Sequence, residues 1–130
     1  MQHECTLTVR SYECDSYGHV NNAVYLNYLE YARLEFLKAL GIDYAALRRR
    51  GYGLVVVRIL IEYKAQAKSD DVLRIVTAPL SKQKVKVAFS QKVFRGETAV
   101  AEAEVTWACL NGEGRPVRLP PQLDIPELEP

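Results

Sequence analysis

Long apolar runs, an excess of one charge and paired cysteines are all missing from this sequence. No apolar run approaches the ~18 residues of a membrane-spanning helix, so we expect no transmembrane segment. Seventeen basic and 16 acidic residues give a formal net charge of +1, which does not favour nucleic acid or an anionic membrane as the main partner. The first residues lack a basic start followed by an apolar stretch, so no signal peptide is predicted.

Cysteine and histidine are also scarce. Cys5, Cys14 and Cys109 are odd in number and widely spaced, which argues against a disulfide framework and favours reduced thiols and a cytoplasmic location. His3 and His19 stand apart, and no spacing in the chain is typical of a metal site. We therefore expect neither a metal nor a cofactor.

The 130 residues fit one domain, with a core at about residues 6–110 and a tail at 111–130 that is extended or loosely ordered. Apolar residues at helical spacing predict one long helix over residues 24–40, with Asn21 or Asn22 as N-cap and Gly41 as C-cap. A short helical turn is expected around residues 43–48. Alternating patterns predict five strands, at residues 6–12, 54–64, 72–78, 84–94 and 98–110.

This element order predicts an α+β fold in which one antiparallel sheet curls around one helix. The last four strands follow one another through short connections, which is typical of antiparallel pairing. In the second strand, five apolar residues are expected on one face: Val55, Val57, Ile59, Ile61 and Tyr63. One helix covers only one face of such a sheet, so the other face and the edge strands favour a homo-oligomer.

The segment with the most chemical content is DSYGHVNNA, residues 15–23, directly before the long helix. It brings the carboxylate of Asp15 and the imidazole of His19 close to a helix N-terminus. Unpaired N–H groups and a partial positive charge at that terminus suit an oxygen that becomes negative during a reaction. The arrangement favours acyl transfer or hydrolysis, with Asp15 acting on water or on the substrate.

Each of these residues also has a purely structural interpretation. Asp15 is a common type of turn residue, and Asn21 and Asn22 are common caps, although a capping side chain leaves the backbone N–H free to serve a substrate. His19 either braces the loop or takes part in the chemistry. Cys14 beside Asp15 has no orienting partner in the sequence, so we do not expect it to be a nucleophile.

The chain resembles the hotdog-fold thioesterases of the 4-hydroxybenzoyl-CoA thioesterase type in one pattern: Asp15-x-x-Gly18-His19-Val20-Asn21-Asn22-x-x-Tyr25. The His-Val-Asn-Asn stretch is also similar to a segment of plant acyl-ACP thioesterases. The resemblance covers residues 6 to about 110. It implies a five-stranded sheet around a central helix, dimers that join two sheets, often tetramers, and active sites at the dimer interface.

By position, the resemblance implies that Asp15 is the catalytic carboxylate and that the backbone N–H of Asn22 binds the oxyanion. We include His19 as a third candidate catalytic residue. The candidate substrate-binding residues include the neighbours of Asp15 and a basic stretch that would attract the phosphates of coenzyme A: Tyr17, Gly18, Asn21, Tyr25, Ser81, Lys82 and Lys84. A solvated strand face is the alternative for the lysines.

Two functions are compatible with these observations. The first is a thioesterase that hydrolyses an acyl-CoA or acyl-ACP thioester, with Asp15 as general base or as nucleophile. One carboxylate and an oxyanion hole are chemically sufficient for this reaction. The second is a non-catalytic acyl-CoA-binding module. The presence of Asp15 and of the intact loop at residues 18–22 favours the enzyme, acting as a homodimer or homotetramer.

Overall fold

Five antiparallel strands form one sheet in the order β1-β3-β4-β5-β2 in the computed structural model, which describes residues 1–130. The elements along the chain are β1 (His3–Thr8), α1 (Val24–Ala39), α2 (Tyr44–Arg49), β2 (Gly53–Tyr63), β3 (Val72–Lys82), β4 (Lys86–Arg95) and β5 (Thr98–Leu110). The long helix α1 packs against one face of the sheet. This arrangement confirms the predicted α+β architecture.

Helix α1 begins at the predicted residue and ends one residue early. Gly41, at φ +76°, follows its end, and the N–H groups of Gly41 and Ile42 donate to the last carbonyls of the helix. The prediction for the other end is wrong in detail, because Ala23 occupies the N-cap position with no side-chain cap. The Asn21 side chain instead accepts the Ala23 N–H at 2.8 Å, one step before the helix.

The first strand was predicted too late in the chain. It covers His3–Thr8, whereas Ser11–Glu13 forms a 3₁₀ turn. The turn forms because the Glu13 carboxylate accepts the Arg10 backbone N–H at 2.8 Å, which takes that group away from any strand ladder. The third strand extends four residues beyond its predicted end, past Pro79. The proline, which has no N–H to donate, is tolerated within β3 because it lies past the end of β1, where one side of β3 has no neighbouring strand.

The predicted face of the second strand is interrupted by a β-bulge. The pairing of β2 with β5 shifts between Val56 and Arg58, so Val57 has no partner. After the bulge, Ile59, Ile61 and Tyr63 lie on one face, as predicted. Before the bulge, the residue on that same face is Val56, because it pairs with the inward-facing Trp107. Val55 and Val57 therefore do not share the predicted face.

The core consists of two apolar clusters along α1, separated by a polar layer. One cluster surrounds Leu29 and Ala32, and the other surrounds Phe36 and Leu37. Between them Arg33, which is 3% exposed, donates to the side chain of Gln91 at 3.0 Å. Burial lowers the pKa of Arg33 to about 10. This layer orients the helix on the sheet through directional hydrogen bonds.

The C-terminal tail is packed against the second cluster, so of the two predicted alternatives, extended or loosely ordered, the second does not hold. Leu119, Leu123 and Leu128 are buried there, and residues Pro126–Leu128 form a short 3₁₀ helix. Leucines spaced four and five residues apart gave no helical or strand period, so the sequence pattern carried no sign of this packing. The core therefore extends beyond the predicted 6–110.

Two further features of the sheet affect its possible partners. The edge strand β2 is 11 residues long and carries exposed apolar side chains, among them Val57 (52% exposed) and Leu60 (46% exposed). The face of the sheet opposite α1 has no helix over it.

None of the helices combines the length and the hydropathy that a membrane crossing requires.

Candidate active site

The Asp15 loop, residues 14–23, is a small hairpin followed by the entry to α1. Cys14 and Val20 form an isolated antiparallel bridge, and the Asp15 N–H donates to the His19 carbonyl at 2.8 Å. The turn closes when the Gly18 N–H donates to the Asp15 carbonyl at 3.0 Å. Gly18 has φ +80°, a conformation that side chains disfavour, so glycine suits this position.

The carboxylate of Asp15 is held by the backbone of its own loop through one oxygen only. Its Oδ1 accepts the N–H of Tyr17 at 2.9 Å and, more weakly, the N–H of His19 at 3.4 Å. These bonds confirm that Asp15 shapes the turn. Its Oδ2 has no hydrogen-bond partner within the chain and the residue is exposed, so this oxygen is available for a substrate or for water.

Asn22, at the end of the same loop, has a free backbone N–H. The neighbouring N–H groups are occupied, because Asn21 donates to the Glu13 carbonyl at 3.0 Å and Ala23 to the Asn21 side chain. The Asn22 N–H has no acceptor within the chain. The Asn22 carbonyl accepts the Tyr63 hydroxyl at 2.8 Å, which fixes the backbone on the other side. A fixed, unpaired N–H before a helix is a suitable oxyanion donor.

A cavity of about 450 Å³ lies against these groups. Five of the predicted site residues line it: Asp15, Tyr17, His19, Asn22 and Tyr25. Gly18 and Asn21 belong to the same loop without lining the cavity. The remaining wall was not predicted to be part of the site and comes mainly from the end of β2 and the connection after it: Val20, Tyr63, Ala65 and Gln66.

Tyr25 and Tyr63 form the aromatic part of this wall. Their ring centroids lie 5.4 Å apart in an edge arrangement, and Tyr25 is only 3% exposed. Burial raises the pKa of Tyr25, so this hydroxyl stays neutral. Such a wall offers an apolar surface to an acyl group. The only signal in the sequence for the role of Tyr63 was its position as the last, aromatic residue of the predicted apolar face of β2.

His19 lies between this cavity and a second one of about 470 Å³. Its imidazole makes no hydrogen bond within the chain, so bracing of the loop is done by its backbone rather than its side chain. The second cavity is polar and is lined also by Gln66, Ala67, Lys68, Asp71 and Arg95. The Arg95 guanidinium donates to the Gln66 carbonyl, which places a cation close to the Asp15 loop.

Ser81, Lys82 and Lys84 lie at the other end of the sheet. Asp71, next to the site, directly precedes β3, whereas Ser81 and Lys82 end that strand of 11 residues, which at ~3.3 Å per residue spans roughly 30 Å. Lys82 pairs with Asp124 at 2.6 Å and with Glu129 at 3.2 Å. These bonds raise the pKa of Lys82, so its ammonium stays charged and is paired with two carboxylates of its own chain. Within one chain, these three residues do not meet Asp15.

Comparison with known proteins identifies the family. Residues 9–125 match the family model of the thioesterase-like superfamily. The chain is 34% identical over 120 residues to the acyl-acyl carrier protein thioesterase ATL2 of Arabidopsis thaliana, covering 91% of this chain and 64% of that protein. It therefore spans less than two thirds of that plant relative. It is also 34% identical to the long-chain acyl-CoA thioesterase FadM of Escherichia coli, over 81% of this chain and 80% of that protein.

Solved structures agree with this match. A probable thioesterase from Bartonella henselae superimposes with a TM-score of 0.87 at 30% identity, over 92% of this chain and all of that one. A 1,4-dihydroxy-2-naphthoyl-CoA thioesterase from Synechocystis has the same TM-score at 17% identity, over 94% and 92% of the two chains, and supports the hotdog fold alone. The chain belongs to the thioesterase-like superfamily and has its hotdog fold.

Proposed function

We propose that this protein hydrolyses an acyl-CoA or acyl-ACP thioester to a free acid and a thiol. The observation that carries the proposal is that Asp15, with its free Oδ2, and Asn22, with its unpaired backbone N–H, line one cavity beside α1. The relatives named acyl-CoA and acyl-ACP thioesterases support the same reaction. Coenzyme A or the carrier protein is part of the substrate, and the scheme needs no further cofactor.

Asp15 acts through its free Oδ2. As a general base it takes a proton from water, whose oxygen then attacks the thioester carbonyl. As a nucleophile the same oxygen attacks the carbonyl directly, forms a mixed anhydride and releases the thiolate, and water then cleaves the anhydride. Both routes leave the carboxylate regenerated, and the thiolate takes the proton that water loses.

Negative charge on the carbonyl oxygen is stabilised by the Asn22 N–H in either route. The hydrogen bond that the Asn21 N–H donates to Glu13 and the one that the Asn22 carbonyl accepts from Tyr63 hold the backbone on both sides of this donor before the substrate arrives. A donor that is already oriented pays no reorganisation when charge develops. The apolar surface of Tyr25 and Tyr63 accommodates the first part of the acyl group.

The second cavity suits the other half of the substrate. Coenzyme A and the phosphopantetheine arm both carry phosphate, and Lys68 and Arg95 supply positive charge at this cavity, with His19 between the two cavities. Asp71 also lies in the wall of this cavity, and its carboxylate offers no donor to a phosphate. Its Oδ2 accepts the Lys68 backbone N–H at 2.9 Å. Ser81, Lys82 and Lys84 can serve the phosphates only of a site in another subunit.

The working assembly in this proposal is a homodimer formed through β2, and a homotetramer through the uncovered sheet face. A long edge strand with exposed Val57 and Leu60 is a surface that a second strand covers well. Tyr63, at the end of the same strand, lines the cavity, so a partner would lie beside the site. Light scattering should give at least twice 14.7 kDa at micromolar concentration; a monomer would contradict this assembly.

The function is tested by mixing the protein with a panel of acyl-CoA thioesters and following thiol release by absorbance. We expect turnover with at least one member and a rate at least ~100-fold lower with Asp15→Asn. Binding of an acyl-CoA without turnover would favour the non-catalytic module instead. A product that lacks ¹⁸O after a single turnover in ¹⁸O-water would establish the nucleophilic route, with water attacking the Asp15 carbonyl carbon of the anhydride; a labelled product is compatible with the general base and with attack of water on the acyl carbon. A cytoplasmic location remains a prediction for cell fractionation.

A further inference from the structure

Glu13 is a buried carboxylate next to the site that the proposed chemistry does not use. It is 9% exposed and stands two residues before Asp15, in the 3₁₀ turn after β1. Three donors converge on its two oxygens. The Arg10 backbone N–H reaches Oε1 at 2.8 Å, the Arg10 guanidinium reaches Oε2 at 2.9 Å, and the Tyr28 hydroxyl reaches Oε1 at 3.0 Å.

Burial by itself would raise the pKa of Glu13, but the hydrogen bonds from Arg10 and Tyr28 lower it below its ordinary value. Burial, and then the hydrogen bond to Glu13, raise the pKa of Tyr28. The carboxylate is thus ionised and the phenol protonated at neutral pH, the pairing in which the phenol donates. A charge-assisted bond of this kind is stronger than a neutral one and keeps a defined direction.

The pair joins the two parts of the site. Tyr28 belongs to the second turn of α1, the helix whose entry carries Asn22, whereas Glu13 is covalently close to Asp15. The backbone carbonyl of Glu13 also accepts the Asn21 N–H at 3.0 Å. The backbone of Glu13 therefore joins the two ends of the Asp15 loop, and the side chain of Glu13 joins the loop to helix α1.

We propose that Glu13 and Tyr28 are positioning residues that set the Asp15 carboxylate and the Asn22 N–H relative to each other. This inference rests on the proposed function for its kinetic consequence, but not for its structural one. A displacement of ~1 Å between reacting groups costs up to ~100-fold in rate. Loss of the Glu13–Tyr28 bond should therefore slow the reaction while leaving the cavity that binds the acyl group intact.

The test compares two variants with two matched controls. Tyr28→Phe removes one hydroxyl from the pair, and its control Tyr31→Phe removes an exposed hydroxyl from the same helix that makes no hydrogen bond. Glu13→Gln keeps the shape but leaves one acceptor atom where three donors converge. Its control Glu35→Gln neutralises a carboxylate on α1 that pairs with Lys38 at 3.3 Å.

For each protein, kcat, KM and the melting temperature are measured, together with amide hydrogen exchange of residues 14–22 by mass spectrometry. We expect kcat to fall ~10- to 100-fold in Tyr28→Phe and Glu13→Gln, with KM within about twofold of the wild-type value. Exchange of residues 14–22 should become faster at a temperature where the protein stays folded. Both controls should match the wild type in all measurements.

Wild-type kcat in Tyr28→Phe, or a loss of rate that only follows the unfolded fraction, would overturn the inference. Failure of the proposed function gives a different result, because the wild-type protein would then hydrolyse no thioester at all. In that case hydrogen exchange still decides: faster exchange of residues 14–22 in Tyr28→Phe supports the positioning pair, and unchanged exchange refutes it.

Discussion

The two ends of helix α1 differ in how completely their side chains are buried and their hydrogen-bonding groups are paired. At the C-terminal end, Phe36 and Leu37 are fully buried, and the tail places Leu123 and Leu128 over the same cluster. At the N-terminal end, the Asp15 loop is largely exposed and lies against a cavity of about 450 Å³.

The same contrast holds for hydrogen bonds. At the C-terminal end the N–H groups of Gly41 and Ile42 close the helix on its own carbonyls. At the other end the Asn22 N–H, Asp15 Oδ2 and the His19 imidazole have no partners. Groups left unsatisfied by the fold are the ones a substrate can engage, so the proposed chemistry lies at the end of α1 where such groups remain.

The largest effect should come from Asp15→Asn. An amide keeps the size of the carboxylate and its bonds to the backbone N–H groups, but it neither accepts a proton from water nor forms an anhydride. We expect kcat to fall by ~10²–10⁴-fold, with the melting temperature close to that of the wild type. Steady-state kinetics and thermal unfolding measure the two quantities. Turnover near the wild-type rate would remove Asp15 from the chemistry.

The opposite result is expected from Leu123→Ala at the closed end. Leu123 is 1% exposed and belongs to the second cluster, so truncation removes apolar contacts and leaves a cavity. Large-to-small changes of this kind cost ~2–5 kcal/mol of folding free energy. Urea unfolding should show that loss, while kcat per folded molecule stays at the wild-type value. A selective loss of rate in this variant would contradict the division between the two ends.

Much of this contrast was visible in the sequence, because its main signals are local. The helical period placed α1 to within one residue, and the motif of residues 15–23 placed Asp15, His19 and Asn22 at one cavity. A turn, a carboxylate and a helix start that are adjacent in the chain need no long-range contact to meet.

The parts that sequence reasoning missed depend on contacts between distant residues. Tyr63 and Arg95 reach the site only through the pairing of β2 and β4 with β5. The bulge at Val57 lies in a run of β-branched residues whose alternation looks the same in either register. The tail has no period, and its packing follows only from the apolar surface that α1 and the sheet leave open at that end.

A smaller effect on rate is expected from His19→Gln. The backbone N–H of His19, which supports Asp15, survives the change, and the imidazole has no bond within the chain to lose. Its place between the two cavities suits orientation of water or of the thioester rather than bracing of the loop. We expect kcat to fall about tenfold with little change in KM, the sign of an interaction made mainly in the transition state.

Steady-state kinetics across acidic and neutral pH provide the measurement for His19. An unchanged rate at every pH would remove the imidazole from the chemistry. The proposal would then depend on Asp15 and the Asn22 N–H alone, and the contrast between the two ends of α1 would rest on fewer groups.

The smallest effect concerns the pH dependence of stability at Glu13. Its pKa is lower in the folded protein than its ordinary value, because the bonds from Arg10 and Tyr28 outweigh burial. A carboxyl of this kind adds stability at pH values above the unfolded pKa, ~4.3 for glutamate, and that contribution is lost as the pH falls through the folded pKa. Urea unfolding of the wild type and Glu13→Gln should therefore differ most near neutral pH and converge only when the pH falls below the lowered, folded-state pKa of Glu13. The exposed Glu97→Gln, in the β4–β5 hairpin, serves as the reference. A difference between wild type and Glu13→Gln that stays constant with pH would mean that the variant acts through packing, and that the ionised pair does not hold the Asp15 loop.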